Sequence, residues 1–226
     1  MFYWLSSFSD LIGPLNVLRY ITFRTGGAMC TALVFVFLFG QWFIDNLRLR
    51  QGKGQPIRAD GPKTHFVKAG TPTMGGVLIL TASLVPTLLW ADLTNVYVWI
   101  AVLSTASYGA IGFLDDYLKV VHRKRDGIAS WEKIAWQSGA TLVALALLLW
   151  HPLSAAKIRE LWIPFVKHAV IPVMPWWLLL GLLYGWVVGF SNAINLTDGL
   201  DGLAAGCTIS VAIVFAIMAY LADHVF

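Results

Sequence analysis

This sequence predicts an all-α polytopic integral membrane protein, and three observations point to that class. Of its 226 residues, 58% are hydrophobic and 12% charged, with a mean hydropathy of +0.71, whereas soluble chains are about a quarter charged. Six apolar stretches, near 22–44, 74–91, 96–114, 134–151, 176–191 and 203–222, approach or exceed the roughly 17–25 residues that a helix needs to cross a hydrocarbon layer. Their apolar character is continuous rather than alternating at every second residue, which selects about six transmembrane helices over a barrel. With no internal repeat and no soluble tract, residues 1–226 read as a single membrane domain.

The first twenty residues read as a short amphipathic lead-in, and no removable signal peptide is expected, because a basic start, a short apolar core and a small-residue cleavage site are missing. Arg24 and Gly26-Gly27 open the first span, which ends at Trp42-Phe43. The loop at 45–73 then carries Arg48, Arg50, Lys53, Arg58, Lys63 and Lys68, and the loop at 115–133 carries Lys119, Arg123, Lys124, Arg125 and Lys133, while 92–95 has no basic residue. This alternation follows the positive-inside rule. It puts 45–73 and 115–133 in the cytoplasm, the N-terminus and 152–175 outside, and, by counting spans, 192–202 in the cytoplasm. The net charge of +4 is accounted for by topology and predicts no nucleic acid. Trp and Tyr at 42, 90, 97, 99, 150, 176 and 177 fall at span ends as interfacial anchors do. Cys30 and Cys207 lie within apolar runs and read as small buried hydrophobes.

Between the first two spans the run Lys68-Ala69-Gly70-Thr71-Pro72-Thr73-Met74-Gly75-Gly76 specifies backbone more closely than a topology signal requires. Thr71 or Thr73 is expected to cap the second helix, whose positive end would then face the cytoplasm, where a phosphate can use it. The third span is bland until Asp115-Asp116-Tyr117-Leu118-Lys119. Adjacent carboxylates at a membrane helix end are costly unless paired, hydrated or bound to metal. Neighbours on a helix point about 100° apart. One carboxylate is therefore expected to face a ligand while the other meets a cation, with Lys119 four residues from Asp115 and three from Asp116.

The last polar stretch, Ser191 to Leu203, places Asn192, Asn195, Asp198 and Asp201 at steps of three. On a continuous helix that stripe drifts by about 60° per step, so the four groups converge only if the helix breaks. Gly199 and Gly202 supply the freedom for a break, with the next helix expected near Leu203. Carboxylates, amides and lysines gathered on one membrane face suit Mg²⁺-assisted phosphate chemistry, because Mg²⁺ takes one or two carboxylates together with phosphate oxygens and water. There is no P-loop and no dinucleotide fingerprint in the sequence.

The pattern Asn-x-x-Asn-x-x-Asp-Gly-x-Asp-Gly-Leu at 192–203, Phe-x-Asp-Asp-Tyr-x-Lys at 113–119 and the run from Gly70 to Gly76 resemble, in order along the whole chain, the polyprenyl-phosphate N-acetylhexosamine-1-phosphate transferases. The resemblance is sharpest to the bacterial members that act on UDP-N-acetylmuramoyl-pentapeptide. It implies transfer of phospho-N-acetylmuramoyl-pentapeptide to undecaprenyl phosphate at the cytoplasmic face of the inner membrane, with release of UMP and with Mg²⁺ as cofactor. By motif it implies Asp115, Asp116 and Asp198 as catalytic residues, with Asp116 and Asp198 on the metal. It further implies Lys68, Thr71, Lys119, Lys133, Asn192, Asn195 and Asp201 as substrate-binding residues, and a homodimer. Direct attack by the lipid phosphate and attack by an Asp through a covalent intermediate both stay open at this point.

Members of that family have about ten helices, including about four more membrane helices, a third essential Asp and a His-rich loop beyond the region matched here. The resemblance therefore implies that these residues are the N-terminal part of a longer protein, inactive alone. Two alternatives are weighed beside it: transfer of N-acetylglucosamine-1-phosphate to the same lipid, and an ion-coupled transporter with Asp and Asn lining a broken helix at mid-membrane.

Overall fold

The computed structural model describes residues 1–51, 72–122, 127–151, 155, 157–163, 166–197 and 202–225. They form two compact units, Met1–Ala155 and Ala156–Phe226. In the first, a short helix α1 (Phe2–Leu5) and two 3₁₀ turns (Ser6–Phe8 and Gly13–Arg19) precede the long helices α2 (Ile21–Gln51), α3 (Gly76–Trp90), α4 (Val96–Val120) and α5 (Ser130–Trp150). The second holds α6 (Trp176–Thr197) and α7 (Leu203–Val225).

All six expected apolar stretches are helical. Five, α2 and α4 through α7, are long and apolar enough to cross a membrane. The 15-residue α3 reaches only about 22 Å, short of a hydrocarbon core of about 30 Å. Its start explains the shortfall: Met74 has φ of +71°, outside the helical region, so no helix runs through it. The helix begins behind Gly75 without a side-chain cap, which corrects the expectation that Thr73 caps it.

The polar segments are more helical than apolarity alone suggests. α2 continues through Asp45, Arg48 and Arg50 to Gln51, α4 runs through Asp115 and Asp116 to Val120, and α6 through Asn192 and Asn195 to Thr197. Hydropathy marks where the hydrocarbon ends, whereas backbone hydrogen bonds can carry a helix on into water. Local pairs support the α2 extension, with Gln41 donating to both Asp45 carboxylate oxygens at 3.1 and 3.2 Å and Arg48 lying 3.8 Å from Asp45. The lead-in is a short helix followed by two 3₁₀ turns, the second opening at Gly13-Pro14.

Within the first unit α2 packs on α3, α3 on α4 and α4 on α5. Small residues permit the close approaches, as is usual between membrane helices. Gly27 faces the Trp90 ring, where an added Cβ would come within 2.6 Å of ring carbons, and Gly109 faces Leu80. Trp90 is held by Phe2 and Phe23, at centroid distances of 4.8 and 6.1 Å, and donates from Nε1 to Thr31 Oγ1 at 3.0 Å. Between α4 and α5 the Tyr108 hydroxyl meets Thr141 Oγ1 at 2.8 Å, satisfying two polar groups inside the bilayer.

In the second unit the stretch before α6 folds back through an antiparallel bridge between Leu161 and Ile171. Arg159 donates from Nε to the Met174 carbonyl at 3.2 Å and lies 4.7 Å over the Trp176 ring. α7 is exposed along almost all of 203–221. Cys30 and Cys207 are also exposed, not buried as expected for them.

Gly27→Ala is expected to destabilise the protein by about 1–3 kcal/mol relative to Gly26→Ala, since both gain the same helix propensity but only position 27 overpacks a ring that is fixed on three sides. Gly26 has nothing within 4 Å. Thermal unfolding of the two variants in detergent, side by side, checks the difference.

Candidate active site

The C-terminal ends of α2 and α4, the N-terminal end of α5 and the turn entering α3 meet at one end of the first unit, joined by hydrogen bonds between residues far apart in sequence. Asp115, on α4, is 8% exposed. Its Oδ2 accepts from Lys119 Nζ at 2.7 Å and its Oδ1 from the Ile128 N–H at 2.9 Å. The ion pair joins residues four apart on one helix face, as the spacing allows. The bond to Ile128 ties the segment after α4 back onto the helix and requires Gly127. Its φ is +63°, and a Cβ there would collide with Asp115 Oδ1.

Asp116 is half-buried and engages a different element: the Met74 backbone N–H favours its charged carboxylate. The left-handed Met74 aims that N–H, since the preceding residue is fixed from α2. The Thr73 N–H donates to Gln51 Oε1 at 2.8 Å, and Gln51 Nε2 donates to the Thr73 carbonyl at 3.0 Å. Thr73 Oγ1 is buried and has no hydrogen-bond partner among the described residues. Lys119 and Lys133 both exert attractive charge on Asp115 and Asp116.

The structure thus brings together four of the residues singled out by the sequence, Asp115, Asp116, Lys119 and Lys133. One carboxylate meets a cation and its neighbour meets the α3 turn. Asn192 and Asn195 belong to the second unit, on α6. Asn192 donates from Nδ2 to the Val188 carbonyl at 2.8 Å, and Asn195 is exposed. The helix runs unbroken past both to Thr197 and α7 begins at Leu203, after Gly202 with φ of +80°; the glycine-assisted break expected between 199 and 203 corresponds to that gap. Lys68, Thr71, Asp198 and Asp201 lie outside the described residues. Gln51 and Gly127 join the site without any expectation from the sequence, which anticipates the Thr73 hydroxyl only as a helix cap. Gln51 carries no motif, and its one signal is its position just before the glycine- and proline-rich stretch.

The site's depth follows from α4. From Val96, at the helix start, to Asp115 the axis rises about 28 Å, close to the full hydrocarbon thickness of about 30 Å. For a helix that enters the hydrocarbon at Val96, this length brings the carboxylates to the opposite boundary and not to the midplane.

Residues 98–226 match the sequence model of glycosyl transferase family 4. This chain belongs to that family. Residues 68–80 also match signature 1 of the phospho-N-acetylmuramoyl-pentapeptide-transferases, and that match contains Thr73 and Met74. A curated phospho-N-acetylmuramoyl-pentapeptide-transferase of Opitutus terrae is 55% identical over 225 residues, which cover 98% of this chain and 60% of the relative. Proteins of the same name from two strains of Rhodopseudomonas palustris are 49% and 50% identical, over 99% of this chain and 61% and 62% of their own lengths. The chain thus spans about three fifths of the length of the curated relatives it matches. The family match covers both carboxylates and both lysines, whereas Gln51 lies outside it and outside the signature.

The donor set suits a hard cation bound largely through phosphate and water. Among the described residues no three His, Cys, Asp or Glu side chains cluster to hold a metal by themselves. Asp116 is the carboxylate of this group that is not already paired with a lysine, and so the one a cation could use.

Gly127→Ala is expected to cost about 1–3 kcal/mol or more, combining a left-handed non-glycine residue with displacement of Asp115 from Ile128. Gly139→Ala, with nothing within 4 Å of its added Cβ, is the control. Thermal unfolding of both variants would show the contrast, and equal melting temperatures would contradict the Asp115 tie.

Proposed function

We propose that this chain carries part of the active site of a phosphoglycosyl transferase that moves phospho-N-acetylmuramoyl-pentapeptide from its UDP donor to undecaprenyl phosphate, releasing UMP. The carrying observation is the grouping of Asp115 and Asp116 with Lys119 and Lys133 at a membrane boundary, against a turn that belongs to the matched signature. The names of the relatives support the choice of donor.

In this reading the acceptor phosphate reaches the site from the bilayer and the nucleotide from water. One phosphorus–oxygen bond to UMP breaks as one to the lipid phosphate forms. Lys133 and Lys119 balance phosphate charge, and Lys119 does so while paired with Asp115. Asp115 holds the segment after α4 in place and Asp116 faces the reacting phosphates. Asp198, Asp201, Asn192 and Asn195, together with Lys68 and Thr71, complete the substrate contacts. Mg²⁺, held by Asp116 and Asp198, would supply neutralisation of pyrophosphate charge. The distribution of basic residues supports a site facing the cytoplasm of a bacterial inner membrane, and the proposal includes a homodimer. The boundary depth of Asp115 and Asp116 argues against the transporter alternative, which needs these groups near mid-membrane.

The test uses membranes containing residues 1–226 and, separately, the gene product extended to its natural stop codon. Both receive undecaprenyl phosphate, Mg²⁺ and either UDP-N-acetylmuramoyl-pentapeptide or, in a parallel sample, UDP-N-acetylglucosamine, and UMP release is followed. Release is expected from the extended chain, with Asp116→Asn lowering it about a hundredfold or more, as loss of one preorganised charged group does. Lys133→Ala is expected to lower kcat/KM about ten- to a hundredfold, the range of one charge-assisted hydrogen bond. Release only with UDP-N-acetylglucosamine would move the assignment to the other sugar, and release with neither donor would overturn it.

A further inference from the structure

We propose that Gln51 is a positioning residue for Asp116, a role that rests on the transferase reading only for its consequence in turnover. Gln51 is the last residue of α2, and its carboxamide closes a two-bond ring on the backbone of Thr73, accepting from the N–H at 2.8 Å and donating to the carbonyl at 3.0 Å. A carboxamide is the one uncharged side-chain group that offers a donor and an acceptor side by side, as an adjoining strand would. The ring fixes Thr73 across 22 residues of sequence.

The next residue shows what that fixing achieves. Met74 adopts φ of +71°, a conformation costing a non-glycine residue about 1 kcal/mol or more, although Gly75 and Gly76 follow immediately and would adopt it freely. In that conformation the Met74 backbone N–H acts favourably on the Asp116 carboxylate. Gln51 restrains the residue before the strained one, Met74 carries the strain, and Asp116 receives the donor. This chain of contacts links the end of α2 to a carboxylate on α4.

The test combines Gln51→Leu, which keeps the side chain's bulk and removes both bonds, with Met74→Gly, which removes the strain. Hydrogen–deuterium exchange over residues 72–78 in the purified full-length gene product reads the two amides directly and needs no turnover. Gln51→Leu is expected to speed their exchange about tenfold or more with the melting temperature little changed, because the opening is local. It is also expected to lower UMP release about tenfold, the effect of one misplaced hydrogen bond. Adding Met74→Gly is expected to restore a substantial part of that release, because glycine holds the left-handed conformation without the clamp. Unchanged exchange in Gln51→Leu would overturn the proposal. So would faster exchange accompanied by full release, or lost release that Met74→Gly does not restore. A wild type that exchanges slowly at these amides but releases no UMP would instead count against the transferase reading, and the exchange comparison would still decide the role of Gln51.

Discussion

Two adjacent carboxylates at the edge of a hydrocarbon layer are the constraint to which the rest of the first unit answers. Side by side they repel each other, and each loses hydration as the helix enters the bilayer. The structure resolves the cost by giving them different partners. Asp115 takes a cation from its own helix and an N–H from beyond it, while Asp116 is favoured by the backbone of the turn before α3. The offset of about 100° between neighbours on a helix makes that division possible, since no one element faces both.

Each partner in turn demands something of the backbone. The Ile128 donor needs a left-handed glycine in front of it, at Gly127, and the Met74 donor needs a left-handed residue of its own. Both left-handed positions lie in connections between helices, where no regular hydrogen-bonding pattern competes, and only the one at Met74 is strained. The helices supply rigid placement and the connections supply aimed N–H groups. The shortness of α3 belongs to the same arrangement, because the residues that a longer helix would absorb are used to reach Asp116.

Continuous apolarity locates every long helix among the described residues, the four-residue spacing picks out the Asp115–Lys119 pair, and the glycines near 199–202 mark the interval between α6 and α7. Other features are hidden from the sequence for physical reasons. Hydropathy reports the hydrocarbon boundary and is silent on helices that continue past it, so it suggests loop where α2, α4 and α6 go on. The Gln51 clamp joins a helix terminus to a residue 22 positions away, and no periodicity encodes such a contact. The left-handed residue falls on Met74 although two glycines stand beside it, because the clamp on its neighbour, rather than intrinsic preference, decides the conformation. Cys30 and Cys207, expected to be buried, are exposed, because an apolar residue of a membrane helix has more than one apolar environment open to it.

The boundary position also bears on what chemistry the site can perform. A lipid phosphate cannot leave the headgroup layer, because its hydrocarbon tail gains about 0.8 kcal/mol for each buried methylene, and a nucleotide sugar cannot enter the hydrocarbon, because its charges would lose their hydration. The two can meet only in the thin layer between. Groups that bind phosphate, directly as cations or through a bound cation as carboxylates, are best placed at helix ends, where side chains reach that layer from a rigid base. Lys133 and Asp116 stand at such ends, with Asp116 about a bilayer's thickness from the start of α4. A transporter would need the same groups halfway along it. The depth of the carboxylates, set by nothing more than helical rise and the length of an apolar run, is thus the feature that most separates the two kinds of function.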